Sequence, residues 1–183
     1  MKKLRLTAAL ALCALPQIGT AFELTSTDIA PQGLIAEQFA FNGFGCTGEN
    51  ISPAMSWSNA PSGTKSYALM VHDGDAQTGG AGFWHWVVLD IPVSATGLAQ
   101  GAGTADGAAL PTGTQQIASD FGVPGWGGPC PPVADAAHRY DFTLYALPVE
   151  QLELPEGATA SLAGFIVNSM ALGATKISAD YDR

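Results

Sequence analysis

The sequence predicts a mostly β protein closed by one short C-terminal helix. Three observations carry that reading. Runs rich in β-branched and aromatic residues recur at 66–72, 83–91 and 140–147, a composition that suits a pleated, half-buried surface. Glycine- and proline-rich stretches punctuate the chain between them, as loops and turns do. Apolar residues at helical spacing are confined to one segment near the end.

The chain opens with Lys2, Lys3 and Arg5 before the apolar run 6–15, and Gly19-Thr20-Ala21 offers small residues for cleavage. This pattern predicts a secretory signal peptide over 1–21. The apolar run is too short for a bilayer anchor, and no later stretch approaches the roughly 20 apolar residues that a transmembrane helix requires. A single mature domain over 22–183 is therefore expected, periplasmic or secreted. It keeps four basic residues, Lys65, Arg139, Lys176 and Arg183, against 16 acidic ones, a net −12. That balance argues against nucleic acid as a partner and against electrostatic attraction to an anionic membrane. Cys13 lies in the leader, which leaves Cys46 and Cys130 as an even pair. A disulfide between them is expected in an oxidising compartment, with two buried thiols that never meet as the alternative.

Leu34-Ile-Ala-Glu-Gln-Phe-Ala-Phe41 reads as a strand and Asn42-Gly43 as a turn. Residues 44–53 are dense in turn formers and lead to the extended segment 54–57, with a further turn at 60–64. Ser66 to His72 is the next strand. Asp73 and Asp75 follow where it gives way to a glycine-rich loop, which returns into a strand over 83–91 carrying His85. From Pro92 to Gly125 periodicity is weak, so this stretch is expected to wrap the surface in ordered turns or to frame a site. Gly125-Trp-Gly-Gly-Pro-Cys-Pro-Pro132 excludes helix and regular strand and suits a rigid wall around a small ligand. In 140–147, Tyr140, Phe142, Leu144 and Ala146 share one face. The helix is expected to be capped by Thr159 or Ser161, with Leu162, Phe165, Ile166 and Met170 at helical spacing. Gly173 is its stop, and 176–183 forms a final extended segment.

If the loop before His138 folds over the corner at Asp73, one pocket gains Asp73, Asp75, His85, His138 and Tyr140. Carboxylates, an imidazole pair and glycine N–H groups together offer hydrogen bonds to an oxyanion such as phosphate. His72 points to the opposite face and is read as a strand histidine.

These segments resemble the phosphatidylethanolamine-binding proteins, also called Raf kinase inhibitor proteins, and within them the bacterial exported branch. Asn50-Ile-Ser-Pro-Ala-Met-Ser-Trp57 resembles the family's opening signature, and Asp73-Gly74-Asp75-Ala76 its Asp-Pro-Asp-Ala-Pro motif. Trp84-His85-Trp86 resembles its Trp-His segment, 125–132 its Gly-Tyr-Gly-Gly-Pro-Cys-Pro-Pro loop, and His138-Arg139 the end of Gly-x-His-Arg. The resemblance implies a large antiparallel sheet packed on a smaller one, and a small pocket for phosphate-like anions and phosphorylethanolamine head groups. It places Asp73, His85, His138 and Tyr140 in that pocket, with Asp75 and Pro131 beside them. Gly74 and Gln77 stand where the motif has prolines, Trp126 where it has tyrosine, and Ala136 where it has glycine. Losing two prolines loosens the loop after Asp73.

Three functions follow from this reading. The first is binding of a small anion or phospholipid head group; a zwitterion could set its ammonium against Asp73 or Asp75 and its phosphate against the histidines. The second is inhibition of, or interaction with, a periplasmic or host protease or kinase through the protein surface. The third is a metal-dependent hydrolase, which two carboxylates and two histidines could support; neither a His-Glu-x-x-His motif nor a nucleophile elbow is present. Binding rather than turnover is expected, with no resident metal or other cofactor.

Overall fold

The computed structural model describes residues 21–183, so the expected signal peptide falls outside the described residues save for Ala21. The strands are β1 (Glu23–Thr25), β2 (Asn42–Gly43), β3 (Cys46–Thr47), β4 (Met55–Ser58), β5 (Ser66–Asp73), β6 (Phe83–Pro92), β7 (Gly97–Leu98), β8 (Gln115–Gln116), β9 (His138–Leu147) and β10 (Gly173–Tyr181), with helix α1 at Ala160–Met170. They form an antiparallel five-stranded sheet in the order β10-β9-β5-β6-β8, a smaller sheet β1-β4-β7, and the hairpin β2-β3.

Strand β5 is central and buried along nearly its whole length. Its unbroken apolar run follows from being covered on both faces. Tyr67, Leu69 and Val71 pack toward Met55, Trp57 and Leu98 of the smaller sheet. Ala68 and Met70 face the other way, with Val87 and Leu89, onto α1. Strand β9 alternates as expected, burying Tyr140, Phe142, Leu144 and Ala146 in the core between the sheets.

Of the two caps expected, Thr159 starts the helix, its hydroxyl accepting from the Leu162 N–H at 3.2 Å. Its buried stripe is different from the one expected. Ala160, Ala163 and Val167 face the sheet, whereas Leu162 is 38% exposed and Phe165 72% exposed. The reason is close approach: a Cβ at Gly164 would already stand 3.3–3.4 Å from Met70 and Trp84. Small residues let the helix lie low on the sheet. Gly173 follows the helix end and opens β10, three residues earlier than the final extended segment was expected.

No strand forms over 34–41. Leu34 makes one isolated bridge to Asp180, and residues 37–39 make a single 3-10 turn. The backbone acceptors a strand would use are taken by loops, since Trp126 Nε1 donates to the Phe39 carbonyl and the Asn50 N–H to that of Ala40. Asn42-Gly43 is likewise a strand rather than the turn. The turn is Phe44-Gly45, with φ of 51° and 85°, between β2 and β3.

Cys46 and Cys130 form a disulfide with Cα atoms 6.0 Å apart, joining β3 to the glycine- and proline-rich loop across a sequence separation of 84. In the chain-entropy model a loop of this length stabilises by about 4 kcal/mol. Reduction is therefore expected to lower the stability of the protein by about that amount, read as a fall in the guanidinium midpoint. Identical unfolding curves with and without reductant would contradict a stabilising bond.

Candidate functional site

The ends of β5, β6 and β9 meet at one rim of the larger sheet. Asp73 is the last residue of β5 and pairs in register with Tyr140 of β9, so the β9 start brings His138 alongside. Asp73 is 3% exposed. Its Oδ1 accepts from the N–H groups of Asp75 (2.9 Å) and Ala76 (3.0 Å), and its Oδ2 lies 2.7 Å from Nδ1 of His138. The loop that lost its prolines is thus closed by the aspartate that precedes it.

His85 comes from the third position of β6. Its Nδ1 lies 2.7 Å from the Gly127 carbonyl. A carbonyl only accepts, so Nδ1 carries the proton and Nε2 presents a lone pair. Burial pushes this imidazole down from 6.5 to about 4, against the raising effects of Gly127 and Asp73. His85 is neutral at pH 7. His138 behaves oppositely. Burial lowers it too, but the hydrogen bonds and charges of Asp73 and then Asp135 raise it above its ordinary value.

Tyr140 is fully buried, and its hydroxyl finds no hydrogen-bond partner among the described residues. Burial first, then the Asp73 carboxylate, raises its pKa, so it remains a donor. A buried polar atom left unpaired costs about 1–3 kcal/mol. Its ring meets that of His85 edge-on at 5.0 Å.

Around these groups lies a cavity of about 260 Å³. Asp73, His85, His138, Tyr140 and Pro131 line it together, as the sequence reading expects. Asp75 does not. Its exposed carboxylate accepts from the Arg139 N–H at 2.8 Å and faces a separate concavity with Arg139 and Asp180. Alternation fails here because the chain leaves the strand at Asp73 and turns. His72 lies on the opposite face, as expected, against Trp84 and the Ala81 carbonyl.

Several lining residues escaped the sequence reading. Phe44, Phe83 and Phe121 form an aromatic rim, with Phe83 and Phe121 edge-on at 5.0 Å, and Gln77 and Asp135 complete the mouth. Nothing in the loop sequence around Phe121 marks it. Asn50 lies outside the cavity and acts on its wall: Nδ2 donates to the Trp126 carbonyl (3.0 Å) and Oδ1 accepts from the Gly128 N–H (2.8 Å). That clamp aims the intervening Gly127 carbonyl at His85. Both glycines are required by space, since a Cβ at 127 would enter the Phe121 ring and one at 128 the Phe39 carbonyl. Trp126, expected in the wall, is buried in the core against Trp86 and Phe142.

Among the described residues no group of three or more His, Cys, Asp and Glu side chains is placed to hold a metal ion. No helix of the described residues is long and apolar enough to cross a membrane.

The fold and site define a two-sheet β protein with one helix over the larger sheet and an aromatic and imidazole cavity at the strand ends. The family model described as phosphatidylethanolamine-binding protein matches residues 25–182. The chain belongs to that family. Escherichia coli YbcL is 40% identical over 182 residues, covering 100% of this chain and 99% of YbcL. E. coli YbhB is 40% identical over 157 residues, covering 86% of this chain and 98% of YbhB. The crystal structure of YbcL, described as a new member of the mammalian PEBP family, superposes with a TM-score of 0.85 at 41% identity, covering 88% of this chain and 98% of that one.

The His85 environment has a pH signature. Because its folded pKa is depressed, its contribution to stability is fully present above pH 6.5 and is lost as pH falls toward 4. The contribution is about 3 kcal/mol. His138, with a raised folded pKa, contributes stability below its ordinary value that is lost as pH rises through the folded one. Urea midpoints measured from pH 7 to 4 are expected to fall more steeply for wild type than for His85→Asn. Parallel curves would mean that His85 is protonated as readily in the folded chain as in the unfolded one.

Proposed function

We propose that the protein is exported and binds a small phosphate-bearing ligand, an anion or a zwitterionic phospholipid head group, in the cavity formed by Asp73, His85, Pro131, His138 and Tyr140. The observation that carries this is the Tyr140 hydroxyl, buried near the Asp73 carboxylate without a well-formed hydrogen bond, beside a histidine whose Nε2 has a free lone pair. A buried hydroxyl without a good partner favours a ligand oxygen that supplies one. The Tyr140 hydroxyl donates to a ligand oxygen, and neutral His85 accepts from a protonated phosphate oxygen or an ammonium. Phe44, Phe83 and Phe121 give the mouth an apolar rim, which strengthens polar contacts beneath it. The match of the family model supports the reading, as does the cavity's apolar lining with few convergent polar groups. Export rests on the leader pattern at 1–21.

The function is binding rather than turnover. Asp73 is committed to two N–H groups and His138, and among the described residues the cavity is lined by no serine, threonine or free cysteine that Nε2 of His85 would activate, Cys130 being held in the disulfide.

Tyr140→Phe tests the assignment directly. Removing only the hydroxyl is expected to leave the free protein as stable as wild type or about 1 kcal/mol more so, since it relieves an unpaired buried group. The same change weakens phosphorylethanolamine binding about tenfold by calorimetry, one lost hydrogen bond in a dry site. Unchanged affinity in this variant would remove the cavity as the binding site. Asp73→Ala is a poorer probe, because it leaves two N–H groups and a buried imidazole without their partner and is expected to destabilise by about 3 kcal/mol or more.

A further inference from the structure

His138 is held between two carboxylates. Asp73 Oδ2 takes Nδ1 at 2.7 Å and Asp135 Oδ2 takes Nε2 at 3.2 Å. Carboxylates accept, so both ring nitrogens carry protons and the ring has no N–H left for a ligand. The two partners are not equivalent. The Asp73 side chain is 4% exposed and pinned by two backbone N–H groups, whereas that of Asp135 is 20% exposed and makes no other hydrogen bond among the described residues. Asp135 sits on the turn that follows Pro132, its N–H bonded to the Pro132 carbonyl, and is flanked by the exposed residues Ala134 and Ala136. Asp135 and His138 line the same cavity.

We propose that Asp135 is a specificity-determining residue, a built-in carboxylate that occupies the place of a ligand oxyanion on Nε2 of His138 and must be displaced before an anion can bind there. The proposal rests on the cavity being the ligand site. The groups facing His138 define the selection. Asp73 comes from β5, Asp135 from its own turn, His85 from β6 and Tyr140 from β9, while β10 sets Tyr181 opposite it in register. Among the described residues no lysine or arginine lines the cavity, and the Arg139 guanidinium is turned outward to Asp180. Two carboxylates around one imidazolium leave a net negative site. Inorganic phosphate must displace Asp135 and then bind beside the carboxylate it displaced. A head group with an ammonium next to its phosphate meets the same obstacle but gives the displaced carboxylate a new partner. Asp135 therefore favours zwitterionic phosphate esters over free phosphate.

The test compares inorganic phosphate and phosphorylethanolamine binding, by calorimetry, in wild type, Asp135→Asn and Asp180→Asn. The last makes the same change in net charge outside the cavity. Asp135→Asn is expected to tighten inorganic phosphate about tenfold and to shrink the preference for phosphorylethanolamine, while Asp180→Asn changes neither. The imidazole of His138, followed by NMR, is expected to titrate at lower pH in Asp135→Asn than in wild type, with or without ligand. Phosphate affinity unchanged in Asp135→Asn, or raised equally in Asp180→Asn, would overturn the competition while leaving the cavity assignment intact if wild type binds phosphorylethanolamine. Failure of wild type and Asp135→Asn alike to bind either ligand would overturn both.

Discussion

The contact between Asp73 and His138 joins the sheet to the cavity. Asp73 ends the central strand of the larger sheet, and its carboxylate closes the turn behind it while reaching across to the first residue of β9. A carboxylate this buried is tolerated because nearly all its lone pairs are used, two by backbone N–H groups and another by an imidazole. Once Asp73 is fixed, the β5–β9 register sets Tyr140 beside it, and the Tyr140 ring in turn packs on His85. The two histidines, more than fifty residues apart in the chain, thus share one small volume.

Within that volume, two residues of one type are shifted in opposite directions. His85 is buried, bonded to a carbonyl and pushed down, while His138 is bracketed by two carboxylates and pushed up. The difference is the partner together with the depth of burial. A donor, an acceptor and a screened cation lie side by side in an aromatic bowl, an arrangement that suits a ligand with its own paired polarity better than a bare ion. The same logic gives Asp135 a role, since its carboxylate competes with any oxyanion for the outer face of His138.

Support for the cavity comes from far along the chain. Asn50 holds the backbone on both sides of Gly127, the disulfide ties the same loop to the hairpin that carries Phe44, and Arg183 Nε donates to the Pro131 carbonyl at 2.6 Å. The stiff wall expected from the glycines and prolines exists, but its stiffness depends on these cross-links. Its tryptophan serves the core, stacked on Phe142 and bonded to the Phe39 carbonyl, where an indole can bury its ring and still satisfy its N–H.

Local composition by itself determined the mostly β class, strands over 66–72, 83–91 and 140–147, a helix capped at Thr159 or Ser161 and the face of β9 that is buried, because period-two patterning and capping chemistry act within a few residues. The motifs also marked Asp73, His85, Pro131, His138 and Tyr140 as neighbours. Tertiary structure alone decided the rest. Backbone acceptors claimed by Trp126 and Asn50 kept 34–41 from becoming a strand, close packing on Met70 and Trp84 turned small residues of the helix toward the sheet, and a turn at the end of β5 sent Asp75 outward. Phe121 and Asp135 entered the site by the path of their loops. Such outcomes depend on which distant groups compete for the same hydrogen bond or the same space, and that competition exists only once the chain is folded.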